Sequence, residues 1–123
     1  MRQSILFLMM LLTPLLASAK APACVLPPPD GSDVDWSPAS LTGVLTNASP
    51  EQVEIRTDRG KIYALRILGS TQLFTVYGGG VEPTELKVGQ FALVWLTECS
   101  KPGATDQVAV LQVCSLAAKP CPK

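Results

Sequence analysis

The chain contains no histidine. Ser-His-Asp and Cys-His triads therefore cannot be assembled from it, and the imidazole that most zinc sites combine with cysteine is missing. Closely spaced cysteines are missing too. The four cysteines are separated by 74, 14 and 6 residues, which excludes a Cys-x-x-Cys redox motif and the paired cysteines of a structural zinc site. Charge of one sign is not in excess, with 10 Lys/Arg against 10 Asp/Glu. The signs alternate along the chain, the pattern of a solvated surface rather than of a field that gathers nucleic acid or anionic lipid. The three methionines, Met1, Met9 and Met10, all fall at the extreme N-terminus.

That N-terminus is the most informative segment present. Arg2 is followed by an apolar run from Ile5 to Leu16, interrupted only by Thr13 and Pro14, and then by Ala17-Ser18-Ala19. A positive start, a short apolar run and a small-x-small site make a secretory signal peptide cleaved after Ala19. The run is shorter than the roughly 20 residues that span a bilayer, and no second run follows, so stable membrane insertion after signal removal is not expected. Cys24, Cys99, Cys114 and Cys121 all lie beyond the cleavage site, which places them where disulfides persist. Lipid attachment fails on spacing, because Cys24 follows Ala21-Pro22-Ala23 with no Leu three residues before it.

The remainder divides into three parts. Residues 20–38 form a leader whose Pro22, Pro27, Pro28, Pro29 and Pro38 favour extended backbone. Residues 39–116 form one domain of ordinary size, and residues 117–123 a short tail with Pro120 and Pro122. Each flank carries a cysteine, so both ends are expected to be stapled to the core.

Within the domain the pattern is β throughout. Leu41 to Asn47 alternates, and Gln52 to Thr57 places Val53 and Ile55 opposite Gln52, Glu54 and Arg56. Asp58-Arg59-Gly60 suits a three-residue hairpin loop closed by glycine. Lys61 to Leu68 then carries Tyr63, Leu65 and Ile67 inward, with Lys61 and Arg66 outward. Period two in both arms signals half-buried antiparallel strands. Gln72 to Tyr77, Phe91 to Thr97 and Val108 to Cys114 complete six short strands, with one turn of helix expected near Pro83 to Lys87. Strands this short and numerous imply a small barrel or a strongly curled sheet, because closure removes exposed edges.

One strand breaks the alternation: Phe91-Ala92-Leu93-Val94-Trp95-Leu96 is apolar on both faces. Either the proline-rich leader covers it, with Trp36 as the lid, or its outer face meets a partner. The candidate partner surface is therefore Trp36, Tyr77, Val94, Trp95 and Leu96.

Four cysteines allow three pairings. With a loop at 101–106, Cys99 faces Val108 and Cys114 faces Leu93, about 20 Å apart along the hairpin. A disulfide needs Cα atoms within about 7 Å, so Cys99–Cys114 is disfavoured. Cys24–Cys114 with Cys99–Cys121 is preferred over Cys24–Cys99 with Cys114–Cys121, because the segment before Cys121 can cross the barrel and Pro120 keeps its end extended.

Other motifs carry little. The acidic pairs Glu51/Glu54 and Glu82/Glu85 fall at turns or strand edges, where nothing raises a carboxyl pKa for acid catalysis. Asp30 to Asp35 resembles a calcium loop but has Asp35 where glycine belongs and Leu41 where glutamate belongs. Gly78-Gly79-Gly80 has no lysine or following helix to make an anion site, and Asn47-Ala48-Ser49 is followed directly by Pro50. Arg56, Arg59, Lys61 and Arg66 cluster on one hairpin, but Tyr63 alternates inward and Glu54 and Asp58 dilute the charge, so a nucleic-acid partner is not expected. No cofactor or metal is implied.

Leu41 to Cys114 resembles a family of small exported bacterial domains with an OB-like barrel. The resemblance is carried by Leu41-Thr42-Gly43-Val44-Leu45, by Val53-Glu54-Ile55 facing Ile62-Tyr63-Ala64-Leu65, by Thr71 before Leu73, and by Leu86 to Val94. It implies an OB-like fold and no activity, and the family usually lacks these cysteines. The expectation is an all-β, five- to six-stranded antiparallel OB-like barrel with disulfide-stapled ends, periplasmic or secreted. Its expected role is a non-catalytic binding or envelope-accessory module whose partner is another envelope protein or a second copy. The alternative is an enzyme inhibitor, or an enzyme with an unrecognised carboxylate site.

Overall fold

The structure, a computed structural model, describes residues 23–29 and 34–115. The expected signal peptide, the tail with Cys121 and most of the calcium-like stretch lie outside the described residues. Five strands, β1 (Leu41–Ala48), β2 (Gln52–Arg56), β3 (Ile62–Thr75), β4 (Phe91–Leu96) and β5 (Gln107–Ser115), close into a barrel in the order β1-β2-β3-β5-β4. This is the OB-like arrangement. Two of the six expected strands, 61–68 and 72–77, are the halves of one long β3. One pairing also departs from the expected all-antiparallel scheme, since β3 runs parallel to β5. The chain leaves β3, returns through antiparallel β4 and enters β5 between the two, and such a parallel pairing needs a long connection.

The β2–β3 hairpin forms as its alternation requires. Gly60, at φ +82°, supplies the left-handed residue that closes the loop, with Thr57 N–H on the Lys61 carbonyl at 2.9 Å. β1 changes partners at Val44, pairing with β4 below and β2 above. Gly43 makes the crossing possible: a Cβ there would collide with the Arg56 carbonyl, and it would lie 2.9 Å from the Ile55 side chain. Its neighbour across the ladder is Ala92, also small and fully buried.

β3 bends where its register on β5 slips between Ile67 and Gln72. The Thr71 hydroxyl spans this bulge, accepting from Leu68 N–H at 2.8 Å and donating to the Val108 carbonyl at 2.5 Å. A second bulge, between Trp95/Val110 and Leu96/Val108, switches the facing of β5. Val108 therefore points inward, Val110 outward and Leu111 inward again. The interior is filled by aliphatic side chains including Leu45, Val53, Ile55, Val94, Leu96, Val108 and Leu111, each fully buried. A single 3₁₀ turn, Pro83–Glu85, precedes Leu86, which inserts into the same core.

A second, smaller core lies outside the barrel, where Phe74, Trp95 and Val110 pack with Leu93 and Ala39. The leader covers it. Cys24 is bonded to Cys99 just past β4, with Cα atoms 5.5 Å apart, and Pro29 lies beside Gly78 just past β3. Those two anchors are at opposite ends of β5, so the leader runs lengthwise over that strand, and Pro27 is fully buried on the way. It then returns: Ser37 N–H donates to the Val25 carbonyl at 2.8 Å, and Val25 N–H to the Ser37 hydroxyl at 3.0 Å. Ser40 joins β4 by donating its N–H to the Val94 carbonyl and accepting Leu96 N–H at its hydroxyl oxygen.

The bond Cys24–Cys99 corrects the preferred pairing of Cys24 with Cys114. That preference rests on the reach of the segment before Cys121 and takes no account of where the leader runs. The hairpin register, expected to set Cys99 opposite Val108, is displaced as well, with Leu96 facing Val108. Cys99 instead sits in a 3₁₀ turn at φ +52° beside Glu98 at φ +56°, which swings it out of the ladder toward the leader. Cys114 is also disulfide-bonded, and its partner lies outside the described residues.

Candidate functional site

The five residues of the expected partner surface do not form one surface. Val94 and Leu96 are fully buried inside the barrel, and Trp95 is 2% exposed beneath the leader. A partner cannot touch these three. Their doubly apolar strand is explained by coverage, since the barrel takes one face and the leader much of the other. Trp36 is not the lid, being 44% exposed. The covering contact comes from its neighbour, whose carbonyl accepts the Trp95 indole N–H at 2.7 Å. Tyr77 stands at the tip of the turn after β3, where Gly78 N–H returns to the Thr75 carbonyl, and is 80% exposed.

Tyr77 borders a groove of about 430 Å³ at the end of the barrel beside the 3₁₀ turn. Val81 and Val113 give it apolar lining, Thr84, Glu85 and Lys87 contribute polar groups, and the disulfide-bonded Cys114 borders it. Pockets that hold small molecules generally combine an apolar lining with a few placed polar groups.

Gln90 is the buried polar residue of this groove, with only 5% of its surface exposed. The turn from Lys87 to Gln90 fixes it. Gly89 takes φ +95° and donates its N–H to the Leu45 carbonyl at 2.8 Å, and the Gln90 carbonyl accepts Leu45 N–H at 2.8 Å. The side-chain Oε1 accepts Lys87 N–H at 2.9 Å. The Nε2 group has no protein acceptor among the described residues and is not sealed from solvent. It is a donor held in place at the groove. The sequence does not single out Gln90, although one signal exists: it shares the inward parity of Ala92, Val94 and Leu96, so a polar side chain stands where the alternation calls for an apolar one.

The basic hairpin offers a different surface. Arg56, Arg59, Lys61 and Arg66 are all exposed. Tyr63 is half-buried against the interior core, with the Lys61 ammonium 4.9 Å from its ring centre, and Ile62 and Ala64 are the apolar side chains outside. The hairpin therefore carries cations without an exposed aromatic on which a base could stack. Among the described residues no group of three or more His, Cys, Asp or Glu could hold a metal ion, and no helix is long and apolar enough to cross a membrane.

No family model, curated protein or solved structure matches this chain.

Proposed function

We propose that this protein is an exported, non-catalytic binding module of the bacterial envelope, and that the groove at the end of the barrel is its ligand site. The observation that carries this reading is Gln90, a buried side chain whose amide donor faces a half-apolar groove with no acceptor of its own. The Oε1 contact to Lys87 N–H holds this donor in one position, so a ligand acceptor meets a pre-organised group instead of having to order a free side chain. The residues around it suit recognition better than catalysis. Glu85 is the one carboxylate among the described lining residues, so no carboxylate pair is present there to share acid and base roles. Export is supported by the signal-type N-terminus and by the cross-linked cysteines, and the resemblance to exported OB-like domains agrees with it.

Two measurements test the reading. N-terminal sequencing of protein from the envelope fraction is expected to begin at Lys20, and a chain retaining Met1 with reduced thiols defeats export. Amide-shift mapping with a library of small compounds is expected to move Val81, Gln90 and Val113 together. Thr84→Trp, which fills the groove from an exposed position, is expected to abolish those shifts. Shifts clustered elsewhere, or unaffected by that substitution, remove the groove as the site.

A further inference from the structure

Building on the groove as the ligand site, we infer that its ligand is a small apolar zwitterion of the amino-acid or dipeptide kind, carrying both an ammonium and a carboxylate. Three features of the lining specify this class. The apolar lining of Val81 and Val113 takes an apolar body, and Tyr77 adds a ring to the same lining. Two donors belong to the lining, the Gln90 Nε2 group and the Lys87 ammonium, and both can hold a carboxylate. Glu85 supplies the opposite charge two positions earlier, so its Cα lies within about 7 Å of that of Lys87. An acceptor for an ammonium therefore sits close to the donors for a carboxylate.

Alternatives fit less well. A purely apolar ligand would leave Gln90 Nε2 unpaired and desolvate both charges. A polyanion would meet Glu85, and a polycation Lys87. A neutral polar ligand such as a sugar would waste the apolar lining. The zwitterion pairs each group with its complement. The volume of about 430 Å³ accommodates a molecule of dipeptide size.

The test titrates the disulfide-intact protein with three probes, followed by backbone and Gln side-chain amide shifts. The probes are L-leucine, Leu-Leu with free termini, and N-acetyl-leucine amide, which keeps the apolar body and removes both charges. Saturable shifts at Val81, Gln90 and Val113 are expected with a free-termini probe and not with the capped one, with the Gln90 side-chain amide moving most. Glu85→Gln and Lys87→Gln, both exposed positions, are each expected to weaken binding about tenfold, the loss of one charge-assisted contact in a wet groove. Leucine and Leu-Leu distinguish a free amino acid from a peptide as the source. If the capped probe binds as well as the charged ones, the zwitterion inference is overturned while the groove remains a binding site. If no probe moves these residues at millimolar concentration, the inference falls, and a compound library that also leaves them still removes the groove itself.

Discussion

The Trp95 indole N–H donates to the Ser37 carbonyl across 58 residues of sequence at 2.7 Å. This one bond ties the leader to the outer face of the barrel, and the apolar groups around it, Phe74, Val110, Leu93 and Ala39, form the second core. A tryptophan can be this deeply covered because its one polar atom has found an acceptor. Trp95→Phe keeps most of the ring area and removes the donor. It is expected to lower the unfolding free energy by about 1–2 kcal/mol, measured by urea denaturation. An unchanged midpoint would show that the leader docks through apolar contact alone.

The link from Cys24 to Cys99 closes a long loop, with a sequence separation of 75. Removing both sulfurs with Cys24→Ala/Cys99→Ala is expected to cost about 2–5 kcal/mol, chiefly by freeing the unfolded chain. Peptide mapping without reduction is expected to join the Cys24 fragment to the Cys99 fragment and leave Cys114 with Cys121. Recovery of Cys24 joined to Cys114 defeats the path of the leader described above.

Thr71 serves β3 at its bend. Thr71→Val retains the shape and strips the hydroxyl that satisfies both Leu68 N–H and the Val108 carbonyl. The expected loss is about 1–3 kcal/mol, the cost of leaving part-buried backbone groups unpaired. Hydrogen exchange is expected to quicken first at Leu68. Unaltered protection there would mean that the bulge holds itself without the side chain.

Gly43 admits no side chain. Gly43→Ala places a methyl against the Arg56 carbonyl and the Ile55 side chain, both on a strand already paired on either side. Overpacking of this kind costs about 1–3 kcal/mol and occasionally more. Gly69→Ala, with open space around it, is the matched control and is expected to change the thermal midpoint little. Equal effects of the two would refute the steric account.

The legible part of the fold was the part governed by local rules. Alternation from Val53 to Ile67 and the Asp58-Arg59-Gly60 loop specify the first hairpin, because period two and a left-handed glycine are written in adjacent residues. The break between Leu68 and Gln72 reads as two strands because Gly69-Ser70 resembles a turn. What makes it one strand is the Thr71 contact with Val108, 37 residues away. The preferred cysteine pairing is wrong for a related reason: it depends on where the leader lies, which is set by distant contacts such as Trp95 with Ser37. The hairpin register is also shifted, by a bulge on β5 and by left-handed backbone at Glu98 and Cys99, and no glycine marks either place. At the candidate site, Tyr77 was recognisable as an apolar residue beside three glycines. The sequence points to Trp36 as the lid, whereas the covering contact falls to the Ser37 backbone carbonyl, which any residue could supply.

The strand made last is the one most enclosed. β5 lies between β3 and β4, and the leader runs along its outside. An emerging chain thus holds four staves and no hoop until residues 107–115 arrive, with Val94, Leu96 and Trp95 still open to water. Contacts this distant in sequence are slow to form. Cys24 and Cys99 both precede that strand, so their link can close before the wall exists, and the leader is then tethered beside the place where β5 will lie.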